Sequence, residues 1–529
     1  MGKEIVIFDS TLRDGAQGEG ISFSVEDKLN ITVALDKLGI SYIEAGNPAS
    51  NPKDIEFFER AQLLPLRNSR IAAFGSTRRK NIPVEQDEGC LALLSAGTDT
   101  VTIFGKSWDM HVTEILHTTL EENLRMIEDT VRFFIQAGRE VIFDAEHFFD
   151  GYKHNPSYAI QCLRAAQQAG ASVLVLCDTN GGCFPDEVSD IVAAAKEQCP
   201  KAVLGIHCHN DVGCAVANSI AAVRAGAVHV QGTYLGFGER CGNATLSTLI
   251  PDLQLKLGYS CIPEEQIPNL TKTAHYISEV SNNFVASNLP YVGKSAFAHK
   301  GGMHVDGVSK LPDSFEHINP AQVGNERVFL MSEMAGKAAV YSQVRELDET
   351  IQKNSPQTKQ IVEQLKEMEN RGYQFESAAA SLQILMLREL GKYRPFFELA
   401  YYKLVGEQYS TEKPNRSSAI VKVIVDGKEE ITAAEGDGPV HALDSALRKA
   451  LEVFYPQLAD VRLIDYKVRV MEPKQATAAM VRVLIESTDG EHVWTTVGVS
   501  QDIINASWLA LSDSIEYKLM NDQKRRNRQ

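Results

Sequence analysis

Short apolar runs, rich in β-branched residues, alternate with longer segments of helical period along the first half of the chain. The runs are Glu4–Asp9, Tyr42–Gly46, Arg70–Gly75, Thr100–Gly105, Glu140–Asp144, Ser172–Asp178, Ala202–His207 and Val228–Leu235. Each is short and continuously apolar, as a strand buried on both faces of a parallel sheet must be. The segments between them, such as Val25–Leu38 and Asn123–Ala137, carry apolar residues at helical spacing, and several stop at a glycine (Gly39, Gly138, Gly170, Gly226). Eight strand-then-helix units within about 240 residues predict an α/β fold, a (β/α)8 TIM barrel. A doubly wound open sheet shares this alternation, but no GxGxxG follows the first run and no Walker A motif is present.

The pattern then changes. Glu264–Val285, Ala335–Arg371 and Glu376–Glu398 read as helices, Tyr291–Asp306 as a Gly- and His-rich loop, and Tyr409–Ser418 as a linker. Beyond it lies an internal repeat. Ala419–Val425, Asp426-Gly427, Glu430–Ala434 and the helical Val440–Val453 parallel Met480–Ile485, Asp489-Gly490, His492–Val497 and Asp502–Lys518. The Asp-Gly pairs signal two-residue hairpin turns. The organisation expected is a (β/α)8 barrel over 1–260, a helical linker region over 261–408 and an α+β domain of two strand–strand–helix repeats over 409–529, of a kind that suits sensing or dimerisation.

Composition narrows the function classes. Of 529 residues, 44% are hydrophobic and 23% charged, the balance of a folded globular chain. The net charge of -16 argues against nucleic-acid binding, which rests on neutralising phosphates. The one basic run, Lys524, Arg525, Arg526 and Arg528, reads as a solvated helix end. No apolar stretch is long enough to span a membrane and no signal peptide is visible. Nine cysteines without a CxxC pair suit a reduced, cytoplasmic protein.

The strongest chemical signal is Gly205-Ile206-His207-Cys208-His209-Asn210-Asp211. Alternate residues of a strand share a face, so His207 and His209 project together. Paired imidazoles at a strand's C-terminal end suit a divalent metal, although two core histidines bonded to backbone would give the same spacing. Barrel closure brings the last strands beside the first, which ends in Asp9-Ser10-Thr11-Leu12-Arg13-Asp14-Gly15. Asp14, His207, His209 and the Asn243 that follows the eighth run would then meet on the rim where barrel enzymes keep their active sites. Arg13 beside Asp14 is placed to hold a carboxylate or a developing oxyanion, or to form a structural ion pair. Asp144-Ala145-Glu146-His147 and Asp178-Thr179-Asn180 reach the same rim. The segment Phe297–Gly307, with His299, His304 and Asp306 among glycines, reads either as an exposed linker or as a mobile loop that carries a general base.

Together these motifs resemble the isopropylmalate, homocitrate and citramalate synthase family: Asp9–Gly15, His207-x-His209-Asn210-Asp211, Gly238-Glu239-Arg240-x-Gly242-Asn243 and His299-x-x-Gly302-x-His304. Gly436-Asp437-Gly438-Pro439-Val440-x-Ala442 resembles that family's regulatory domain. Asn47–Asp54, Phe104–Asp109 and Glu146–Gly151 draw the likeness toward the family's citramalate branch, which joins acetyl-CoA and pyruvate on a route to isoleucine. The resemblance implies a metal-dependent acyltransferase that converts the acyl group into alkyl on transfer. It implies that Asp14, His207 and His209 bind a divalent ion (Mg2+ or Mn2+, with Zn2+ also compatible), with Asn243 at or near the fourth position. Arg13 would bind the keto acid and steady the enolate, Thr179 would bind the keto-acid carboxylate, and Glu146 would contact or activate the acetyl group. His304, with Asp306 in the substrate site beside it, would abstract a proton and come from the partner subunit of a homodimer. Feedback inhibition by isoleucine or leucine is implied for the C-terminal domain. One position departs from the family pattern: Phe315 stands where a Tyr is usual. The same chemistry on 2-oxoisovalerate or 2-oxoglutarate, a lyase on the same barrel, and a non-catalytic amino-acid sensor are the competing readings.

Overall fold

The computed structural model describes residues 3–300, 302–329, 341, 344–345, 347–348, 350–352, 355–407, 416–471, 479–490 and 492–526. Eight parallel strands, β1 (Val6–Asp9), β2 (Tyr42–Glu44), β3 (Arg70–Ser76), β4 (Thr100–Lys106), β5 (Glu140–Glu146), β6 (Val173–Asp178), β7 (Leu204–Cys208) and β8 (His229–Gly232), follow one another around a closed barrel. Closure is direct, with Phe8 of β1 opposite Gln231 of β8 and His207 of β7 opposite Gln231 from the other side. The strands are mainly apolar because both faces are covered, and β6 is buried at every position. Inward side chains of Phe8, Ala72, Ile142, Val175 and Cys177 fill the barrel, while outward ones join the helices in one large core. Helix Val25–Leu38 shows the local logic: Ser24 and Asp27 form a capping box, and Gly39 ends the helix at φ 94°.

The chain forms two compact units, Met1–Phe297 with Ile318–Arg327, and Ala298–His317 with Val328–Gln529. In the second, Ala298–His299 pairs in parallel with Val328–Phe329, and helices Gly302–Lys310, Pro356–Asn370 and Ala379–Glu389 precede two three-stranded antiparallel sheets. No helix among the described residues is long and apolar enough to cross a membrane.

Several elements differ from the sequence pattern. Tyr291–Asp306 is not all loop: His304 and Asp306 lie on helix Gly302–Lys310. Glu264–Val285 divides into a 3-10 turn, Glu264–Asn269, and a helix, Leu270–Val280, because Pro268 lacks the donor a continuous helix needs. Part of the expected helix Ala335–Arg371 lies outside the described residues, and its longest described helical stretch is Pro356–Asn370. Glu398 opens a strand, Glu398–Glu407, rather than ending a helix. Each C-terminal repeat therefore has three strands and a helix: Glu398–Glu407 or Arg462–Val470 pairs with the first strand that the pattern revealed. Most of the expected linker, residues 408–415, lies outside the described residues. Asp426-Gly427 is a two-residue turn with φ positive at both positions (47° and 77°), the geometry that matches strand twist. Asp489-Gly490 instead begins a longer connection, since the ladder closes at Thr488 opposite Val493.

Candidate active site

The C-terminal ends of the strands enclose a cavity of about 260 Å³ lined by Arg13, Asp14, Glu146, Thr179, His207 and His209, among others. The turn that follows β1 is braced before it presents anything. Thr11 N–H donates to Asp9 Oδ1 at 2.8 Å, Tyr234 N–H donates to Thr11 Oγ1 at 2.8 Å, and Asp14 N–H donates to Ser10 Oγ at 3.2 Å. Burial pushes the Asp9 carboxyl up to about 7 against the pull of the Thr11 hydrogen bonds.

Asp14 Oδ2 lies 3.6 Å from His207 Nε2 and 3.9 Å from His209 Nε2. The three donor atoms fall within 4.8 Å of one another, a span compatible with ligands about 2.0–2.2 Å from one ion. Protonation states suit a metal as well. Burial opposes the charged Asp14 carboxylate, but Arg13, His207 and His209 outweigh it and hold the group well below the usual range. Burial pushes His207 down to about 4, and His209 below its ordinary value, so both imidazoles are neutral donors. Asn243 Nδ2 donates to Asp14 Oδ1 and to the Phe237 carbonyl, both at 3.0 Å, and its buried Oδ1 has no partner among the described residues. The close seat of Asn243 requires Gly238, where a Cβ would meet Nδ2 at 2.3 Å. Two neutral imidazoles, an ionised carboxylate and an orphaned amide oxygen fit a divalent ion.

Two buried residues that the motifs did not reveal, Gln231 and Glu44, hold this set in place together with Asp144 of the fifth-strand motif. Gln231 Nε2 donates to Asp144 Oδ1 at 3.0 Å, so Gln231 Oε1 faces His207 Nδ1, also at 3.0 Å. That hydrogen bond puts the imidazole proton on Nδ1 and turns the Nε2 lone pair toward Asp14. Burial, with Glu44 nearby, pushes the Asp144 carboxyl well above the usual range. Glu44 Oε2 accepts from Ser10 Oγ and from Arg13 Nε, both at 2.6 Å. Arg13 Nη1 donates to Asp14 Oδ2 at 3.0 Å, and the guanidinium carbon sits 3.7 Å above the centre of the Phe74 ring. Burial works against the Arg13 charge, but Glu44 and Asp14 more than restore it. Signals for Gln231 and Glu44 were present only as polar interruptions of apolar strands.

On the opposite wall, Glu146 Oε2 is 2.5 Å from Lys106 Nζ, and the Glu146 carbonyl accepts from Ser107 Oγ at 2.6 Å. His147, in the left-handed region at φ 55°, donates its N–H to Thr179 Oγ1 at 2.9 Å. Arg240 braces the same strand ends, donating to the Thr179 carbonyl at 2.7 Å and to both Asp211 oxygens at 2.8 and 3.0 Å. Phe74 and Phe104 stack 5.1 Å apart and supply apolar wall. The structure thus gathers six of the expected site residues on one cavity and sets Asn243 against Asp14. His304 and Asp306 belong to the second unit. There the His304 ring lies 4.5 Å from that of Phe315, and Asp306 pairs with Lys310 at 2.5 Å.

Comparison with known proteins bears on all three regions. Residues 4–275 match the model of the HMGL-like family, 291–373 that of the homocitrate synthase post-HMGL domain-like family, and 376–519 that of the LeuA allosteric (dimerisation) domain. Similar relatives bear the name (R)-citramalate synthase. That of Aquifex aeolicus is 51% identical over 524 residues, 99% of each chain. That of Geobacter sulfurreducens is 49% identical over 520 residues, 98% of each chain. That of a Synechocystis species is 50% identical over 523 residues, 97% of this chain and 96% of the relative.

Proposed function

Since the chain belongs to the HMGL-like family and is half identical, end to end, to (R)-citramalate synthases, we propose that it condenses acetyl-CoA with pyruvate and releases (R)-citramalate and CoA. The observation that carries the chemistry is the cavity that joins Asp14, His207 and His209 to a buried, fixed Arg13.

A divalent ion (Mg2+ or Mn2+, with Zn2+ also compatible) would be held by Asp14, His207 and His209, with Asn243 at or near the fourth position, and would supply Lewis-acid polarisation of the acceptor carbonyl. Arg13 is anchored through Nε and Nη1, while Nη2 makes no hydrogen bond among the described residues. That edge binds the keto-acid oxygens and receives the charge that develops on the acetyl oxygen. Thr179 already accepts from His147, so its hydroxyl proton donates to the keto-acid carboxylate. Phe74 and Phe104 supply apolar wall for the acceptor side chain. Glu146, paired with Lys106, meets the acetyl group. A methyl beside a thioester is a weak carbon acid, so a base and an electrostatic partner are both needed, each contributing ~10²–10⁴-fold. His304, with Asp306 beside it in the chain and supplied by the partner copy of a homodimer, takes the methyl proton. The new carbanion attacks C2 of pyruvate, the C2 oxygen takes up a proton, and water cleaves the thioester to free CoA, which makes the condensation effectively irreversible.

The LeuA-type region supports a dimer with feedback inhibition by isoleucine or leucine, consistent with a place in isoleucine biosynthesis. All nine cysteines are free thiols, in keeping with the cytoplasm. The reading is tested by CoA release, followed with a thiol reagent, from acetyl-CoA and Mn2+ against a panel of 2-oxo acids. Preference for pyruvate is expected. Preference for 2-oxoisovalerate or 2-oxoglutarate would move the activity to another branch of the family, and no release with any acid would refute it.

A further inference from the structure

The position where the family resemblance anticipates a tyrosine carries Phe315, so no hydroxyl is available there for proton transfer. The ring itself is nevertheless held with care. His304 and Gly307 lie three residues apart on helix Gly302–Lys310 and therefore share a face. Phe315 lies across that face, its ring 4.5 Å from the His304 imidazole at an interplanar angle of 33°. It can do so only because residue 307 has no side chain: a Cβ there would meet Phe315 Cε2 at 2.3 Å.

The approach of the ring is fixed at both ends. Leu311 N–H donates to the Gly307 carbonyl at 2.8 Å, so the chain leaves the helix beside the slot. The tight turn Pro312–Ser314 follows, and the N–H groups of Phe315 and Glu316 both donate to the Pro312 carbonyl at 3.1 Å. Glu316 then turns inward, and its Oε1 lies 3.1 Å from Nε2 of His299, on the short strand before the helix. Both members of that pair are only 9% exposed. Phe315 by contrast is 42% exposed, so core burial does not account for a ring anchored so firmly.

We infer that Phe315 is a positioning residue for His304, its ring holding the imidazole in one orientation through the slot at Gly307 and the His299–Glu316 anchor. This rests on the reading of His304 as the base that takes the methyl proton. In this chain position 315 supplies ring contact without a hydroxyl, and the proton chemistry stays with the histidine. A base that swings free of its bearing loses rate without losing substrate, because small misplacements of a reacting group are costly.

The test compares four variants of the full-length enzyme with Mn2+, acetyl-CoA and pyruvate. Phe315→Leu keeps an apolar side chain but removes the ring, and kcat should fall by about tenfold with the KM for pyruvate within about twofold. The deuterium isotope effect on kcat from trideuteroacetyl-CoA should rise, because proton removal becomes more rate-limiting. A purely structural role would not move it. Gly307→Ala, which pushes the ring from its slot, should reproduce both changes, and Phe315→Tyr, which keeps the ring, should recover most of the lost kcat. His304→Ala separates the two readings. If it retains turnover, the base assignment falls and this inference with it. If it is inactive while Phe315→Leu keeps the parental kcat and isotope effect, the positioning role alone is overturned. Circular dichroism and melting temperature confirm that each variant is folded.

Discussion

His207 and His229 lie on neighbouring strands of one barrel, both buried, and burial pushes them to about 4 and about 3 respectively. Their surroundings otherwise differ. His207, toward the C-terminal end, has Gln231 on Nδ1 and Asp14 near Nε2. His229, toward the other end, lies against Phe8 and Tyr42 with ring centres 5.3 and 6.0 Å away, and neither of its nitrogens has a partner among the described residues. Desolvation alone keeps an imidazole neutral at either end. Only a directed hydrogen bond turns that neutral ring into a donor of known orientation, and the two barrel ends separate function from packing on this basis.

The sharpest way to break the comparison is to remove the useful histidine. His207→Ala should lower citramalate formation by at least about 10³-fold and strip the divalent ion from the dialysed protein, while the circular dichroism of the barrel survives. A variant that kept both its metal content and its turnover would end the assignment of this rim. Gln231→Leu is milder and more informative. It leaves every proposed ligand in place but frees the His207 tautomer, so metal affinity should weaken by about 10–100-fold and excess Mn2+ should restore much of the rate. Unchanged affinity, measured by titration calorimetry, would show that Gln231 only fills space.

Legibility in the sequence followed range. Asp14, His207, His209 and Asn243 could be read because each lies in a compact motif and barrel closure does the rest. Glu44 and Gln231 could not: Glu44 meets Arg13 across 31 residues, Gln231 meets the Asp144 of the fifth-strand motif across 87, and each is a polar interruption in an apolar strand. The same logic holds for the C-terminal repeats. Asp426-Gly427 disclosed its hairpin because the turn's φ requirement is local. The outer strands Glu398–Glu407 and Arg462–Val470 escaped because mixed aromatic, apolar and charged residues there suit a half-exposed strand and a helix end equally well. Helix Gly302–Lys310 was hidden by its glycines, which argue for a loop on propensity, whereas at Gly307 the missing side chain makes room for Phe315.

The smallest effect tests the idle histidine. His229 has a folded-state pKa near 3 against an ordinary 6.5, so the folded protein resists a proton that the unfolded chain accepts. Stability from this site is therefore complete above about pH 6.5 and is lost as pH falls toward 3. His229→Leu removes the titration and the two unpartnered ring nitrogens while nearly conserving volume against Phe8 and Tyr42. At pH 7 it should be more stable by about 1–2 kcal/mol, a rise of a few degrees in melting temperature. The gain should widen on acidification, and because Asp9 and Asp144 titrate alike in both proteins, the difference between the two pH curves isolates His229. Turnover should be unchanged, since the residue does not line the cavity proposed to bind substrate. A constant difference across that pH range would mean that water or rearrangement reaches the ring, and a loss of turnover would mean that the two ends of the barrel are coupled.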